Sequence, residues 1–478
     1  MRVPDKSSDL CFISARELAT LIRNRKVSAR EVMVAYLERI NRLNPKINAI
    51  VAKLDDDKCL TLADEADRHM ARGEGVGPLH GLPIAFKDLE PAVGFPCTLG
   101  SPIYRHQMPT EDSVLVERLR TAGVIPIGKT NVPEFGMGSQ TYNEVYGTTV
   151  NPYDPTKTAG GSSGGAGAAL AARLLPLADG SDLGGSLRNP ANFNNVVALR
   201  PTVGLVPVAP TPMPFLGFAV KGPMARSVAD VAFLLSVMAG SDPRDPGCDP
   251  SDPSIFAKPL DRDLKGVRVA WCPDLGGLPL DRRVRAVLEA QRKSFEALGC
   301  IVEDACPDLT AADKVFLVIR MWKSRSILGP LLEKHRDQMK PEAVWEIESA
   351  AKLTGDEISD AMVLHGAIME RMRLFQERYE FMLCAVNQVP PFEATLHCPM
   401  EIEGTKMENY LGWMKSAYRI TATFRPAASV PAGFTPEGLP VGIQIVGRYR
   451  DDLGVLQIAH AFEQVTRVGQ TRPAIALG

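Results

Sequence analysis

The sequence has no Cys-x-x-Cys pair, and its nine cysteines are scattered and odd in number. That argues against a disulfide framework or a zinc knuckle and for free thiols in a reducing compartment. Basic charge is not in excess: 54 Lys+Arg stand against 56 Asp+Glu, a net charge of −2. Such a balance does not suit a dedicated nucleic-acid or membrane-surface binder. Long hydrophobic runs are missing too. The longest apolar stretch, residues 166–178, is broken by Arg173 and too short to span a bilayer. Residues 1–14 lack the apolar centre of a secretory signal. No internal repeat, low-complexity tail or long linker divides the chain. Aromatics are only 6%, whereas Gly (40) and Pro (38) are plentiful and 45% of residues are apolar. The expectation is a folded cytoplasmic enzyme of helices, sheets and many tight turns.

Helix signals come early. Ser14-x-x-Glu17 and Ser28-x-x-Glu31 read as capping boxes. The second precedes Val32, Met33, Tyr36, Leu37 and Ile40, which share one helix face, and Asn44-Pro45 is expected to stop the helix. Residues 82–86 read as a short buried strand ending at Lys87-Asp88, and residues 124–127 repeat the pattern after a helical segment at 113–122. Further helices are expected over 165–174, 228–238 and 282–298, and strands at 267–271, 301–302 and 440–446. Helices alternating with short buried strands predict an α/β protein with a mostly parallel core sheet. Residues 310–379 are charged and helix-periodic, which suits a cap over the body.

Two patterns mislead. Gly123-Val-Ile-Pro-Ile-Gly128-Lys129-Thr130 fits the phosphate-loop pattern, but its middle is a stiff apolar strand, so a core strand and polar turn are expected. Gly160-Gly-Ser162-Ser-Gly164 fits a nucleophile elbow, but loop residues precede it and no later His has a distinctive setting. His460 lies in an apolar helical pattern and reads as structural, and His397-Cys398 has no metal-ligand partner at useful spacing. What remains is two Gly-embedded serine turns and a strand-end lysine. Gly184-Gly185-Ser186 can aim consecutive backbone N–H groups at one point, the construction of an oxyanion hole. A serine needs a base, and a lysine serves only as the neutral amine, which burial or cationic neighbours favour. Lys87 is placed for that, or is a surface lysine in a turn. The serine segments are catalytic, or are Gly-rich turns that bind phosphate.

These residues resemble the amidase signature family. The match runs from Gly160-Gly161-Ser162-Ser163-Gly164-Gly165 to Asp182-x-Gly184-Gly185-Ser186-Leu187-Arg188-x-Pro190. Gly81-Leu-Pro-Ile-Ala-Phe-Lys87-Asp88 is similar to the family's lysine segment, and residues 222–230, 431–433 and 438–442 look like further family segments. The resemblance covers most of the chain and is weakest at about residues 300–420, a divergent helical cap-like region. It implies one large α/β domain, 1–478, with a mixed, mostly parallel central sheet flanked by helices on both faces. It implies a Ser–Ser–Lys triad: Ser186 as nucleophile, Ser162 as the bridging serine on a cis peptide to Gly161, and Lys87 as base. Backbone N–H groups of Leu183, Gly184, Gly185 and Ser186 would form the oxyanion hole. Ser163, Ser181 and Asp182 look like supporting partners and Arg188 like a structural anchor. Asn195, Ala198 and Arg200 stand where many relatives have Gly, Gly and Lys.

The function so implied is hydrolysis of a linear C–N bond through an acyl-enzyme on Ser186. Anilides, peptide amides, fatty amides and carbamates all remain open as substrates, with esters as a side activity. Residues 134–142 match a family segment that borders the nucleophile, so Gly136, Met137, Gly138, Ser139 and Tyr142 are expected to bind substrate. Phe135, Phe215, Phe218, Met321 and Trp322 are apolar candidates for the same pocket or for ordinary core packing. No metal or organic cofactor, nucleic acid or membrane is implied, and a homodimer is a reasonable assembly. The other reading is the amidotransferase A-type subunit, which shares this signature and works in a tRNA-dependent complex.

Overall fold

A computed structural model describes residues 7–477. The reading of residues 1–14 as leader-free therefore falls partly outside the described residues. Three strands, β1 (Ile50–Val51), β2 (Pro83–Lys87) and β3 (Ile125–Thr130), form a small sheet in the order β1-β3-β2. Eight more form a large sheet: β4 (Leu177–Asp182), β5 (Val197–Arg200), β6 (Val220–Ala225), β7 (Arg268–Trp271), β8 (Ile301–Asp304), β9 (Phe381–Ala385), β10 (Ala427–Phe434) and β11 (Pro440–Val446). Their order is β8-β7-β9-β11-β10-β5-β6-β4.

The sheet is mixed, as expected, but not mostly parallel. Only β8–β7 and β7–β9 are parallel. The other pairs in it are antiparallel. Direction follows the path of the connection: residues 435–439 make a tight turn that can only return the chain antiparallel. The lysine strand is a second correction, because it belongs to the small sheet. It is tied to the large one by a side chain: both carboxylate oxygens of Asp179 on β4 accept the Lys87 backbone N–H at 3.2 Å.

Helices cover both faces of the large sheet, and β9 shows why. Phe381, Leu383 and Ala385 point into one core with the helices Val228–Met238 and Asp452–Thr466. Met382 and Cys384 point into the other, with the helices Ala312–His335 and Gly355–Arg378. A strand sends alternate side chains to opposite faces, so a strand that is apolar at every position needs cover on both. The region 300–420 is thus not a cap throughout, since it contains β9 in the middle of the sheet.

Local signals place most elements. Ser28 and Glu31 make the expected capping box of the helix Ala29–Ile47. Pro45 does not stop that helix but sits in its last turn. The break comes at Asn48, in left-handed conformation at φ 53°. The cysteines also need correction. Cys272 and Cys306 are disulfide-bonded, with Cα atoms 5.3 Å apart, and seven others are free. Trp271 on β7 pairs with Asp304 on β8, so the chain just beyond the two strands brings together cysteines 34 residues apart. Among the described residues no helix is long and apolar enough to cross a membrane.

Candidate active site

Lys87 ends β2 with its side chain fully buried. Its Nζ lies 2.8 Å from Ser162 Oγ, 2.8 Å from Ser163 Oγ and 2.9 Å from Ser181 Oγ. The Ser181 carbonyl is a further acceptor at 3.3 Å. Among the described residues no carboxylate bonds the amine. Burial, and then the nearby Lys221 ammonium, lower its pKa to about 7. Asp179 below it is pushed up to about 6, chiefly by burial and then by Glu90.

Ser162 follows a cis peptide bond from Gly161. The carbonyls on this turn are held by hydroxyls: Ser139 donates to Gly161 O at 2.5 Å and Thr141 to Gly160 O at 2.8 Å. Ser163 N–H donates to the Ser186 carbonyl at 3.1 Å, which fastens the two serine turns together. Asn189 from the second turn also reaches Ser139 Oγ at 2.7 Å.

The second turn runs from the end of β4 into the short helix Arg188–Phe193. Gly185 has φ +114°, and a Cβ there would meet Ala417 Cβ at 2.6 Å. Asp182 organises the turn. Its carboxylate accepts the Gly185 N–H at 2.8 Å and the Leu187 N–H at 3.2 Å, and takes a fork from Arg188 at 2.9 and 3.0 Å. Burial works against the Asp182 charge, but Arg188 and Arg200 overcome it and hold its pKa well below the usual range. Arg188 uses all five of its N–H donors, the rest going to Ala417 O, Gln444 Oε1 and Thr421 Oγ1. The N–H groups of Leu183, Gly184 and Ser186 make no hydrogen bond among the described residues. Gly185 is the exception among the four expected donors, because Asp182 already takes its N–H.

Ser162, Ser181 and Ser186 open onto one cavity of about 260 Å³. That is just below the usual span of ligand pockets, roughly 300–1,000 Å³. Leu89, Leu99, Phe135, Gly136, Met137 and Leu183 form much of its wall. The rest comes from the helix Ala312–His335, through Arg320, Lys323, Ser324, Ile327 and Leu328. Among the described residues no three His, Cys, Asp or Glu side chains come together in a way that could hold a metal ion.

A family model described as Amidase matches residues 31–456. The chain belongs to the amidase signature family. It is 36% identical to an acylamidase of Rhodococcus erythropolis over 98% of both chains. It is 32% identical to the A-type subunit of a glutamyl-tRNA(Gln) amidotransferase of Thermosynechococcus vestitus, covering 96% of this chain and 99% of that one. Among solved structures, a bacterial aryl acylamidase superposes with a TM-score of 0.91 at 27% identity over 98% of each chain. A 6-aminohexanoate cyclic dimer hydrolase superposes with a TM-score of 0.88 at 27% identity, over 98% of this chain and all of that one. The protein is an amidohydrolase.

In this amidase the residues expected as substrate contacts divide. Gly136 and Met137 border the cavity. Gly138, Ser139 and Tyr142 do not: Ser139 is buried under the cis peptide, and Tyr142 hydrogen-bonds Glu342 at 3.2 Å and His397 at 3.1 Å. Of the apolar candidates only Phe135 is on the wall. Phe218 is buried in a core, Trp322 packs against that core and Phe215 is exposed. The false phosphate loop is β3, with Lys129 buried and donating to the Glu90 carbonyl. Sequence reading missed Asp179, Glu90, Lys221 and the wall from Arg320 to Leu328. The polar side chains of Asp179-Gly-Ser181-Asp182, directly after an apolar run, were a usable signal for the first. Within residues 312–335 the sequence offered Met321 and Trp322 for the pocket, and the wall is formed instead by their neighbours Arg320 and Lys323 and the turn that follows.

Proposed function

We propose that this amidohydrolase cleaves a linear amide of a small substrate through an acyl-enzyme on Ser186, with Ser162 and Lys87 as its proton relay. The observation that carries the proposal is a fully buried lysine with its Nζ 2.8 Å from Ser162 Oγ and its pKa lowered to about 7. At neutral pH about half of such a lysine is the free amine, against a trace for an ordinary one.

Ser186 Oγ attacks the amide carbon while its proton passes to Ser162 Oγ, and the Ser162 proton passes to Lys87 Nζ. The tetrahedral oxyanion lies against the free N–H groups of Leu183, Gly184 and Ser186, where preorganised donors stabilise the developing charge. The relay then runs backwards. Lys87 returns the proton through Ser162 to the amide nitrogen, the C–N bond breaks and the amine leaves. Water attacks the Ser186 ester with the same relay taking its proton, and the acid departs as Ser186 is restored. Ser163 and Ser181 hold Lys87, and Asp182 with Arg188 holds the donor turn. The small, largely apolar cavity and the aryl acylamidase likeness favour anilides and related aryl amides. Carbamates and esters fit the same chemistry.

The test is release of aromatic amine from acetanilide by purified protein. Ser186→Ala should abolish it and Lys87→Ala should cost nearly as much. Retention of most wild-type rate by either variant defeats the relay. The likeness to amidotransferase A-type subunits supports a second reading, action within a tRNA-dependent complex. Robust anilide turnover by the lone chain would dispose of it.

A further inference from the structure

The structure assigns Lys323 as the anchor for a carboxylate on the amide substrate. This rests on the amidase reading above and names the substrate class it takes: amides that carry an acid group on the acyl or the amine side. Apart from Lys87, Arg320 and Lys323 line the cavity, Lys221 lies near it, and Lys340 approaches it but is held by the Met137 carbonyl at 2.8 Å and by Glu342 at 4.0 Å. Lys221 and Arg320 also have carboxylates of their own. Lys221 is paired with the buried Glu90. Arg320 donates to Glu346 at 2.6 Å, and Ser324 holds the second oxygen of that carboxylate at 2.7 Å. Lys323 makes no hydrogen bond or ion pair among the described residues, although it lines the cavity and is half-buried. The one carboxylate on the wall, Asp182, is committed to Arg188 and Arg200.

An ammonium in that position is costly without a counter-charge. Burial, and then repulsion from Lys221 and Arg320, lower the Lys323 pKa to about 8, with no acidic neighbour raising it. It is still mostly protonated at neutral pH. A bound carboxylate supplies the missing partner inside a low-dielectric pocket, where a charge-assisted hydrogen bond is strong. The surrounding wall, with Phe135, Met137, Ile327 and Leu328, takes the apolar remainder of the substrate.

Two matched probe pairs test this. Glutaranilate against valeranilide places the acid on the acyl side, and 4-acetamidobenzoate against 4-methylacetanilide places it on the amine side. The reading is the ratio of kcat/KM within each pair. In one pair the wild type should prefer the acid by about tenfold or more, the scale of one charged hydrogen bond. Lys323→Met should erase that preference, Lys323→Arg should keep it, and Lys323→Glu should reverse it in favour of 4-(aminomethyl)acetanilide. Binding of the same probes to Ser186→Ala, with and without Lys323→Met, is measured by calorimetry in parallel. If no probe is turned over but the acid binds in a Lys323-dependent way, the relay fails and the anchor stands. If neither acid outranks its neutral partner in rate or binding, or the preference survives Lys323→Met, the anchor is overturned.

Discussion

In the proposed relay Lys87 acts as a base only when it has lost its proton, and its surroundings decide where that happens. Burial and Lys221 bring the change to about pH 7. The sign follows directly. Below that point the amine is protonated and kcat/KM for a neutral anilide should fall about tenfold per pH unit, while above it the profile should level. A flat profile from about pH 5.5 to 8.5 contradicts the assignment. Lys87→Arg should cost at least about 100-fold, because a guanidinium cannot deprotonate. Arg188 is the complementary case, a residue whose work is holding. Arg188→Met removes one partner of a buried pair and leaves Asp182 with Arg200 alone, so it should cost about 3 kcal/mol or more in urea unfolding. The candidate residues that sequence revealed are those in unusual local company: Lys87 at the end of an apolar run, Ser162 and Ser186 after paired glycines. Lys323 has no such company. Its importance comes from what fails to pair with it in space, which no linear pattern records.

At the scale of elements, the donor turn is shaped from outside. A Cβ on Gly184 would meet Phe316 Cζ at 2.7 Å. Phe316 cannot retreat easily, since its ring stacks on Tyr418 with centroids 4.4 Å apart. Gly184→Ala should therefore push the turn off its donors and lower kcat/KM by about 100-fold, the scale of losing an oxyanion donor. Adding Phe316→Leu should restore part of that rate. Equal rates for the single and double variants would show that the two side chains do not couple. Elements themselves were largely legible: Val228–Met238 and Pro440–Val446 fall where apolar spacing put them. Strand direction was not. A strand buried on both faces reads the same whichever way its neighbour runs, and only the length and route of the intervening chain decide. The helix Ala312–His335 lies in the stretch 310–379 that reads as charged and helix-periodic, but that reading marked neither its bounds nor the side that forms the cavity wall.

For the whole molecule, the family pattern made the α/β architecture legible, and the two-sided core follows from strands such as β9 that are apolar throughout. The joining of β2 to β4 through Asp179, and the meeting of Cys272 with Cys306, depend on packing between distant segments and lie beyond any local reading. The same long reach governs Arg188. Three of its donors end on Ala417, Thr421 and Gln444, 229 to 256 residues further along the chain. A ribosome adding about 5–20 residues per second exposes Lys87, Ser162 and Ser186 roughly ten seconds to a minute before Gln444. During that interval the nascent chain carries Lys87, Ser162, Ser186 and the Asp182–Arg188 pair, but not the acceptors on Ala417, Thr421 and Gln444 that hold Arg188 from the other side. The proposed relay therefore has its full support only once Gln444 has been made, and a chain stopped short of Ala417 should release no aromatic amine from acetanilide.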